Sequence, residues 1–212
     1  MLDIKPLMLA DCATVAATHA ACLSTPFKTT AGARLLQTRY EAISTGAGSS
    51  GYICNLDEHF AGFICGIWDR RMLRQALFKK LPLLAVNAAR HCLSDPKFLL
   101  IAAGALLHQL SRPRDPLDEN GYEMRPLVVL PAFRGQGVAD RLIEQVYADA
   151  RQRGFERIFL FVEKDNLAAI KLYTRVGFLL EAKKRLPGGL FSGARVEVLR
   201  YSLTLPGRAS SL

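Results

Sequence analysis

The stretch that most constrains the fold is Leu127-Val128-Val129-Leu130-Pro131-Ala132-Phe133-Arg134-Gly135-Gln136-Gly137-Val138-Ala139, an apolar strand running into a glycine-bearing turn and a helix predicted over Gly137 to Arg153. Such a junction gathers several backbone N–H groups at the positive end of a helix dipole, which makes it an anion site. Gly135 and Gly137 carry no Cβ, so the backbone can curl around a phosphate, and the small Ala139 lets a ligand approach the start of the helix. No Gly-Lys-Ser/Thr follows, which excludes a P-loop. The spacing Gly-x-Gly-x-x-Gly is also absent, which excludes the dinucleotide fingerprint.

Hydrophobic periodicity and turn residues place the other elements around this junction. A short strand is expected over residues 3–8, a helix from an N-cap at Asp11 to about Leu23, and a second helix over Ala33–Ser44. The run Thr45-Gly46-Ala47-Gly48-Ser49-Ser50-Gly51 reads as a turn. Tyr52–Leu56 and Phe60–Trp68, separated by Asp57-Glu58-His59, read as a β-hairpin. Tyr122–Leu130 is the strand that leads to the junction, and Gly154 closes the helix after it. Then come a strand over Arg157–Val162, a helix over Asn166–Arg175, a strand over Phe178–Leu186, a turn at Pro187-Gly188-Gly189, a last strand over Val196–Leu203 and a frayed tail from Pro206.

Composition matters chiefly through where the charge lies. The 212 residues include 28 Lys and Arg against 19 Asp and Glu, a net charge of +9, and half of all residues are apolar. That suits one globular domain and excludes a disordered tail protein. Nine basic residues and one acidic residue, Asp95, lie between Arg70 and Arg114, so this stretch carries +8 and the other 167 residues are nearly neutral. Residues 70–120 are therefore read as a basic helical insertion within a single domain spanning 1–212. Leu73, Leu77, Leu81 and Leu84 recur at helical spacing over Met72–Leu84, a second helix is expected from Ser94-Asp95-Pro96 to about Leu110, and Arg112–Gly121 reads as a loop.

Cys12, Cys22, Cys54, Cys65 and Cys92 form no C-x-x-C pair. They indicate neither a disulfide framework nor a zinc site, and are read as small buried groups in a reducing, cytoplasmic compartment. His19, His59, His91 and His108 lack ligand spacing, so no metal is expected. Met1-Leu2-Asp3-Ile4-Lys5-Pro6 has no basic n-region followed by an apolar run, and Phe98–Ser111 falls short of the ~18–20 residues that span a bilayer.

The junction resembles the acetyl-CoA-binding motif of the GNAT N-acetyltransferase superfamily, Arg/Gln-x-x-Gly-x-Gly/Ala, met by Arg134, Gly137 and Ala139. Downstream, Asn166-Leu167-Ala168-Ala169-Ile170-Lys171-Leu172-Tyr173-Thr174-Arg175-Val176-Gly177-Phe178 resembles the family's N-x-x-A-x-x-L-Y-x-x-x-G-F block. The likeness is close from Tyr122 to Leu203 and rests on element order alone over residues 1–68. It implies an α/β (α+β) GNAT-like acyl-CoA N-acyltransferase fold: a mixed, mostly antiparallel twisted sheet flanked by helices, with the insertion between the third and fourth strands. It also implies that the fourth and fifth strands splay to admit acetyl-CoA as the acyl donor. The pantetheine arm would lie along Leu127, Val128 and Val129, and the pyrophosphate on the amides of Arg134, Gly135, Gln136, Gly137, Val138 and Ala139.

By the same resemblance, Tyr173 would protonate the departing thiolate, a role that suits a phenol of ordinary pKa, ~10, against a thiol of ~8.5. Asn166 would hold the cofactor or the helix start. An attacking amine must also lose a proton, and where members of the family often place a carboxylate, five residues before the motif Asn, this chain has Phe161. Two carboxylates remain as bases acting through water: Glu123, at the start of the fourth strand and ranked first, and Glu163, on the strand face of Phe161.

The expected activity is acetyl transfer from acetyl-CoA to a primary amine. Basic, leucine-rich insertions of this kind resemble those of GNAT proteins associated with bacterial surface polysaccharides, which suggests a nucleotide- or lipid-linked amino sugar as acceptor. Two alternatives stay open: a protein N-terminal or lysine acetyltransferase, and a non-catalytic acyl-CoA sensor or membrane-surface adaptor, which would not need Tyr173, Glu123 or Glu163. The 70–114 segment is read as a lid on the acceptor pocket, a contact with an anionic membrane surface at the inner face, or a homodimer interface. Nucleic acid is disfavoured, because only Phe78 and Phe98 interleave the basic residues.

Overall fold

The computed structural model describes residues 1–23, 30–80, 121–187 and 195–205. In chain order these form β1 (Leu2–Pro6), a 3-10 turn (Leu9–Asp11), α1 (Cys12–Cys22), α2 (Thr30–Ser44), β2 (Ser49–Leu56), β3 (His59–Ile67) and α3 (Arg70–Lys79). After them come β4 (Tyr122–Val129), a second 3-10 turn (Pro131–Phe133), α4 (Val138–Gln152), β5 (Arg157–Glu163), α5 (Leu167–Arg175), β6 (Leu179–Pro187) and β7 (Arg195–Thr204). The described strands form one sheet in the order β1-β2-β3-β4-β5-β7-β6. Every neighbouring pair is antiparallel except β4 and β5. This is the mixed, mostly antiparallel sheet expected from the sequence.

Local chemistry explains most of the element boundaries. The β2–β3 hairpin turns on Asp57 and Glu58, both left-handed with φ of 48° and 67°, as a two-residue turn that follows the strand twist requires. The Asp57 carboxylate pairs with the ammonium of Met1, and His59 Nδ1 lies 2.7 Å from the Asp57 carbonyl oxygen. Asp69 caps α3 by accepting from the amides of Arg71 and Met72 at 2.8 and 2.9 Å. Gly154, with φ of 81°, ends α4 as expected.

Two expectations need correction. Asp11 does not cap α1 with its side chain. It closes the preceding 3-10 turn, where its carboxylate accepts from the Met8 amide at 3.0 Å. Gly51 is not part of the turn but lies inside β2, where an added Cβ would come within 2.7 Å of Leu7.

The sheet divides the core in two. On the first face, Leu142, Ile143 and Val146 of α4 pack with Ile64, Tyr122, Ile158 and Leu160. On the second, Val15 of α1 and Tyr40 and Ile43 of α2 pack with Ile53, Phe63 and Cys65, joined by Leu73 of α3. Each fully buried Leu, Ile or Phe in these layers is worth about 1.5–3 kcal/mol. Tyr122 joins strands to helix: its hydroxyl donates to Asp149 at 2.5 Å and lies 2.7 Å from Ser50 Oγ. Arg153 closes this network on Asp149 at 2.9 Å while its guanidinium sits 3.8 Å above the Trp68 ring.

Of the basic segment, α3 is described. The continuation to Leu84, the second helix and the loop expected within 81–120 lie outside the described residues, as do Cys92, the Gly188-Gly189 turn and the tail from Pro206. Two of the segment's cations are tied to the domain: Arg70 binds Glu123, and Lys80 binds Glu41 of α2 at 2.8 Å. Among the described residues no helix is long and apolar enough to cross a membrane.

Two outcomes follow from this packing. An alanine Cβ at Gly66 would lie 1.8 Å from the Tyr122 hydroxyl, so Gly66→Ala should lower stability in urea unfolding by about 1–3 kcal/mol through overpacking. An unchanged midpoint would contradict the tight β3–β4 contact. Separately, buried His19 lies 2.6 Å from the Tyr40 hydroxyl, and its pKa is lowered to about 4 by burial and then by the charges of Arg39 and Arg125. It is neutral when folded, whereas the unfolded chain takes up a proton below about pH 6.5. Stability is therefore lost as pH falls from 6.5 towards 4, by roughly 3 kcal/mol in all. Unfolding curves of His19→Gln should be flatter than wild type over that window, and equal slopes would refute the assignment.

Candidate functional site

The site begins where two strands part. β4 and β5 pair only at Tyr122 with Ile158 and Glu123 with Phe159. Beyond that point β4 carries an irregularity: Gly66 of β3 faces Met124 and Ile64 faces Leu127, so Arg125 and Pro126 together oppose Cys65. Two residues against one bend a strand, and Pro126 has no N–H to offer a neighbour. Leu130 donates its N–H to the Ala61 carbonyl of β3 at 2.9 Å. Backbone groups alternate along a strand, so Leu127 and Val129 turn theirs to the opened side. There the Val129 carbonyl accepts from Arg134 Nε at 3.3 Å. Val128 turns its backbone to β3 instead and lines the opening with its side chain.

At the end of β4 the glycine turn feeds α4. Gly135 and Gly137 have φ of 75° and 78°, with Gly137 in the N-cap position. An added Cβ would meet nothing within 4 Å at Gly135 and only Leu2 at 3.9 Å at Gly137, so the requirement is the left-handed backbone, not space. The amides of Val138, Ala139 and Asp140 have no intrahelical acceptor and point out of the helix. The Arg134 amide, expected among the ligand-binding amides, donates to the Pro131 carbonyl at 3.3 Å. Gln136 folds back onto the Ala132 carbonyl at 3.0 Å. Asp140 sits in the first turn, and its charge is paired with Arg175 of α5 at 2.7 Å.

Together these elements enclose a cleft of about 640 Å³. Leu127, Val128, Val129, Arg134, Gly135, Gly137, Val138 and Ala139 line it from β4 and the start of α4, Asn166, Leu172, Tyr173 and Arg175 from α5 and its cap, and Cys22 and Leu23 from the end of α1. Of the expected cofactor residues, Gln136 alone is not in the lining. Asn166 caps α5, its side-chain oxygen accepting from the Ala169 amide at 3.1 Å. Tyr173 is buried edge-on against Phe178, with ring centroids 5.8 Å apart. Burial pushes its pKa up to about 12, a correction to the ordinary value expected from the sequence.

The two candidate bases lie apart from this lining. Glu123 is 1% exposed on the second face of the sheet, at the point where β4 and β5 separate. Its Oε2 accepts from Arg70 Nε and Nη2 at 3.1 and 2.7 Å, and its Oε1 from Arg125 Nη1 at 3.1 Å. Glu163 is exposed at the end of β5. Cys22, Leu23, Asp140 and Arg175 are among the lining residues that sequence reasoning did not single out, and it missed Arg70 as a partner of Glu123. Only Arg175 left a trace, as a cation inside the second motif. Among the described residues no three His, Cys, Asp or Glu side chains gather as a metal site.

Residues 19–178 match the Acetyltransferase (GNAT) family. The uncharacterized N-acetyltransferase YobR of Bacillus subtilis is 42% identical over 52 residues, 24% of this chain and 21% of that protein. Mycothiol acetyltransferase of Jonesia denitrificans is 43% identical over 56 residues, 26% of this chain and 18% of that protein. The N-alpha-acetyltransferase 30 of Schizosaccharomyces pombe is 38% identical over 52 residues, 24% of this chain and 35% of that protein. The chain thus spans about a fifth to a third of these curated relatives. Among solved structures, yncA of Salmonella typhimurium with its cofactor acetyl-CoA aligns at a TM-score of 0.62 and 16% identity, covering 99% of this chain and 96% of that one. The ribosomal-protein-S18-alanine N-acetyltransferase of Escherichia coli aligns at 0.59 and 15% identity, covering 100% and 99%. Such identities show a shared fold, and with most of its length matched by one family pattern the chain belongs to the Acetyltransferase (GNAT) family.

Proposed function

We propose that the protein moves the acetyl group of acetyl-CoA to a primary amine. The observation that carries this reading is the cleft between β4 and β5, with a helix N-terminus at its mouth and a buried tyrosine inside. The donor set fits acetyl-CoA, the family's cofactor. First-turn amides of α4 and the guanidinium groups of Arg134 and Arg175 suit phosphates. The open backbone of Leu127 and Val129 suits an amide-bearing arm that continues the sheet. Bound there, acetyl-CoA supplies its acetyl group as an activated thioester.

The transfer forms a nitrogen–carbon bond and breaks the carbon–sulfur bond. Tyr173 stands ready to donate a hydrogen bond to the departing sulfur. With its pKa near 12 against ~8.5 for a thiol, full proton transfer from the phenol is uphill by about 5 kcal/mol, so Tyr173 stabilises the leaving thiolate as a donor and solvent supplies the final proton. Glu123 attracts the incoming ammonium at the apex of the split and passes its proton to solvent through water. Arg70 and Arg125 hold its carboxylate in place there. Glu163, nearer solvent, is the alternative acceptor.

For the acceptor, a nucleotide- or lipid-linked amino sugar remains the first reading, resting on the basic segment. A second reading, acetylation of a protein N-terminus, is favoured by the relatives named for that activity in Schizosaccharomyces pombe and Escherichia coli.

Two variants test the proposal. Tyr173→Phe should lower kcat, read as CoA release across an amine panel, by about 100-fold while leaving acetyl-CoA affinity in calorimetry within about two-fold. Unchanged turnover would remove Tyr173 from the chemistry and favour a sensor. Gly137→Val forces a β-branched residue into left-handed backbone and should weaken acetyl-CoA binding by at least about 100-fold; retained affinity would sink the phosphate-loop assignment.

A further inference from the structure

Among the described residues that line the cleft, Asp140 is the one carboxylate, and Arg134 and Arg175 are the two guanidinium groups. Asp140 stands in the first turn of α4, among the amides that have no intrahelical acceptor. Its charge suits the positive end of the helix, and for the same reason it competes with any phosphate that would settle there. Arg175 stands in the last turn of α5, and its Nη2 donates to Asp140 Oδ1 at 2.7 Å. This contact joins residues 35 apart in the chain and ties together two helices that both line the cleft.

The pair is built to exchange. Its side chains are 62% and 35% exposed, and an ion pair so open to water contributes little to stability. The contact uses one nitrogen of Arg175. Among the described residues its Nε and Nη1 have no acceptor, so most of the five-donor fork is still free. A phosphate can take two parallel bonds from such a fork and carries at least the charge of a carboxylate. The neighbouring cations do not replace Arg175. Arg134 is held on the Val129 carbonyl at 3.3 Å, and Arg141, the next residue of α4, is turned to Glu144 at 2.8 Å and is not in the lining.

We propose that Asp140 is an internal counter-ion that holds the place of a phosphate, and that Arg175 passes from Asp140 to a phosphate of CoA when the cofactor binds. Arg175 then selects donors that carry that phosphate, and Asp140 limits how tightly any of them binds. This rests on the reading of acetyl-CoA as the donor and assigns the charges of the chain that admit it. The phosphate belongs either to the pyrophosphate or to the ribose; the recognising chemistry is the same, and the ligands used below separate the two.

The test is calorimetry of CoA and of dephospho-CoA, which lacks the ribose phosphate, on the full-length chain. Arg175→Ala should weaken CoA binding by about 10-fold. Arg151→Ala removes an equal charge in the last turn of α4, and should change CoA affinity by less than about two-fold. Asp140→Asn should tighten CoA by about 3–10-fold, and this gain should shrink in the Arg175→Ala background, where no guanidinium is left to release. A deficit of Arg175→Ala that appears with CoA and vanishes with dephospho-CoA places the contact at the ribose phosphate. An equal deficit with both ligands, while Asp140→Asn tightens both, places it at the pyrophosphate. Arg175→Ala that binds both ligands as tightly as the wild type would overturn the inference. So would Asp140→Asn that weakens CoA, the mark of a pair that shapes the site instead of competing for it. In either case CoA binding by the wild type leaves the acetyltransferase reading standing. A wild type that takes up no CoA overturns both.

Discussion

The separation of β4 from β5 after two paired residues is the constraint on which the rest of the structure depends. A continuous sheet would bury the backbone edge of Leu127 and Val129 in strand pairing and leave no passage from one face to the other. The two-against-one irregularity at Arg125 and Pro126 bends β4 away, and the proline removes a donor that would otherwise seek a partner. Unpaired backbone polar groups are tolerated only where something else can satisfy them, so an opened parallel pair is a ligand site on physical grounds before any family likeness is considered.

The split also explains the division of labour between the two faces. On the first face, α4 begins where β4 ends, and the left-handed Gly135 and Gly137 turn its free amides towards the mouth of the cleft. Asp140 would oppose an anion there, and its pairing with Arg175 offsets that charge while holding α4 against α5. On the second face, Glu123 marks the last point of contact between the strands, and Arg70 of α3 and Arg125 of β4 supply guanidinium groups to it. Arg70, 53 residues before Glu123, meets it there because α3 packs over that half of the sheet.

Much of the fold was legible from local chemistry. Asp57-Glu58 between two apolar runs marked a hairpin, Gly154 marked a helix end, and Gly135 and Gly137 after an apolar strand marked the turn into α4. Each rests on contacts within a few residues. Two misreadings share one cause, a long-range neighbour. Gly51 looked like a turn glycine, but it is required by the approach of Leu7 to β2. Arg70 looked like one more outward cation of a basic segment, but it is bound to a carboxylate 53 residues away.

The sequence by itself determined the strand, the glycine turn and the helix of the proposed phosphate loop, and the positions of Asn166 and Tyr173 at the next helix, because strand and helix periods and left-handed glycines are local properties. Tertiary structure alone decided how those residues are poised. Burial raises the Tyr173 pKa to about 12, which suits the proposed role of hydrogen-bond donor more than that of acid. The approach of α3 to β4 brings Arg70 onto buried Glu123 beside Arg125. Pairing, burial and electric field all depend on which distant side chains share a space, and no spacing along the chain records that.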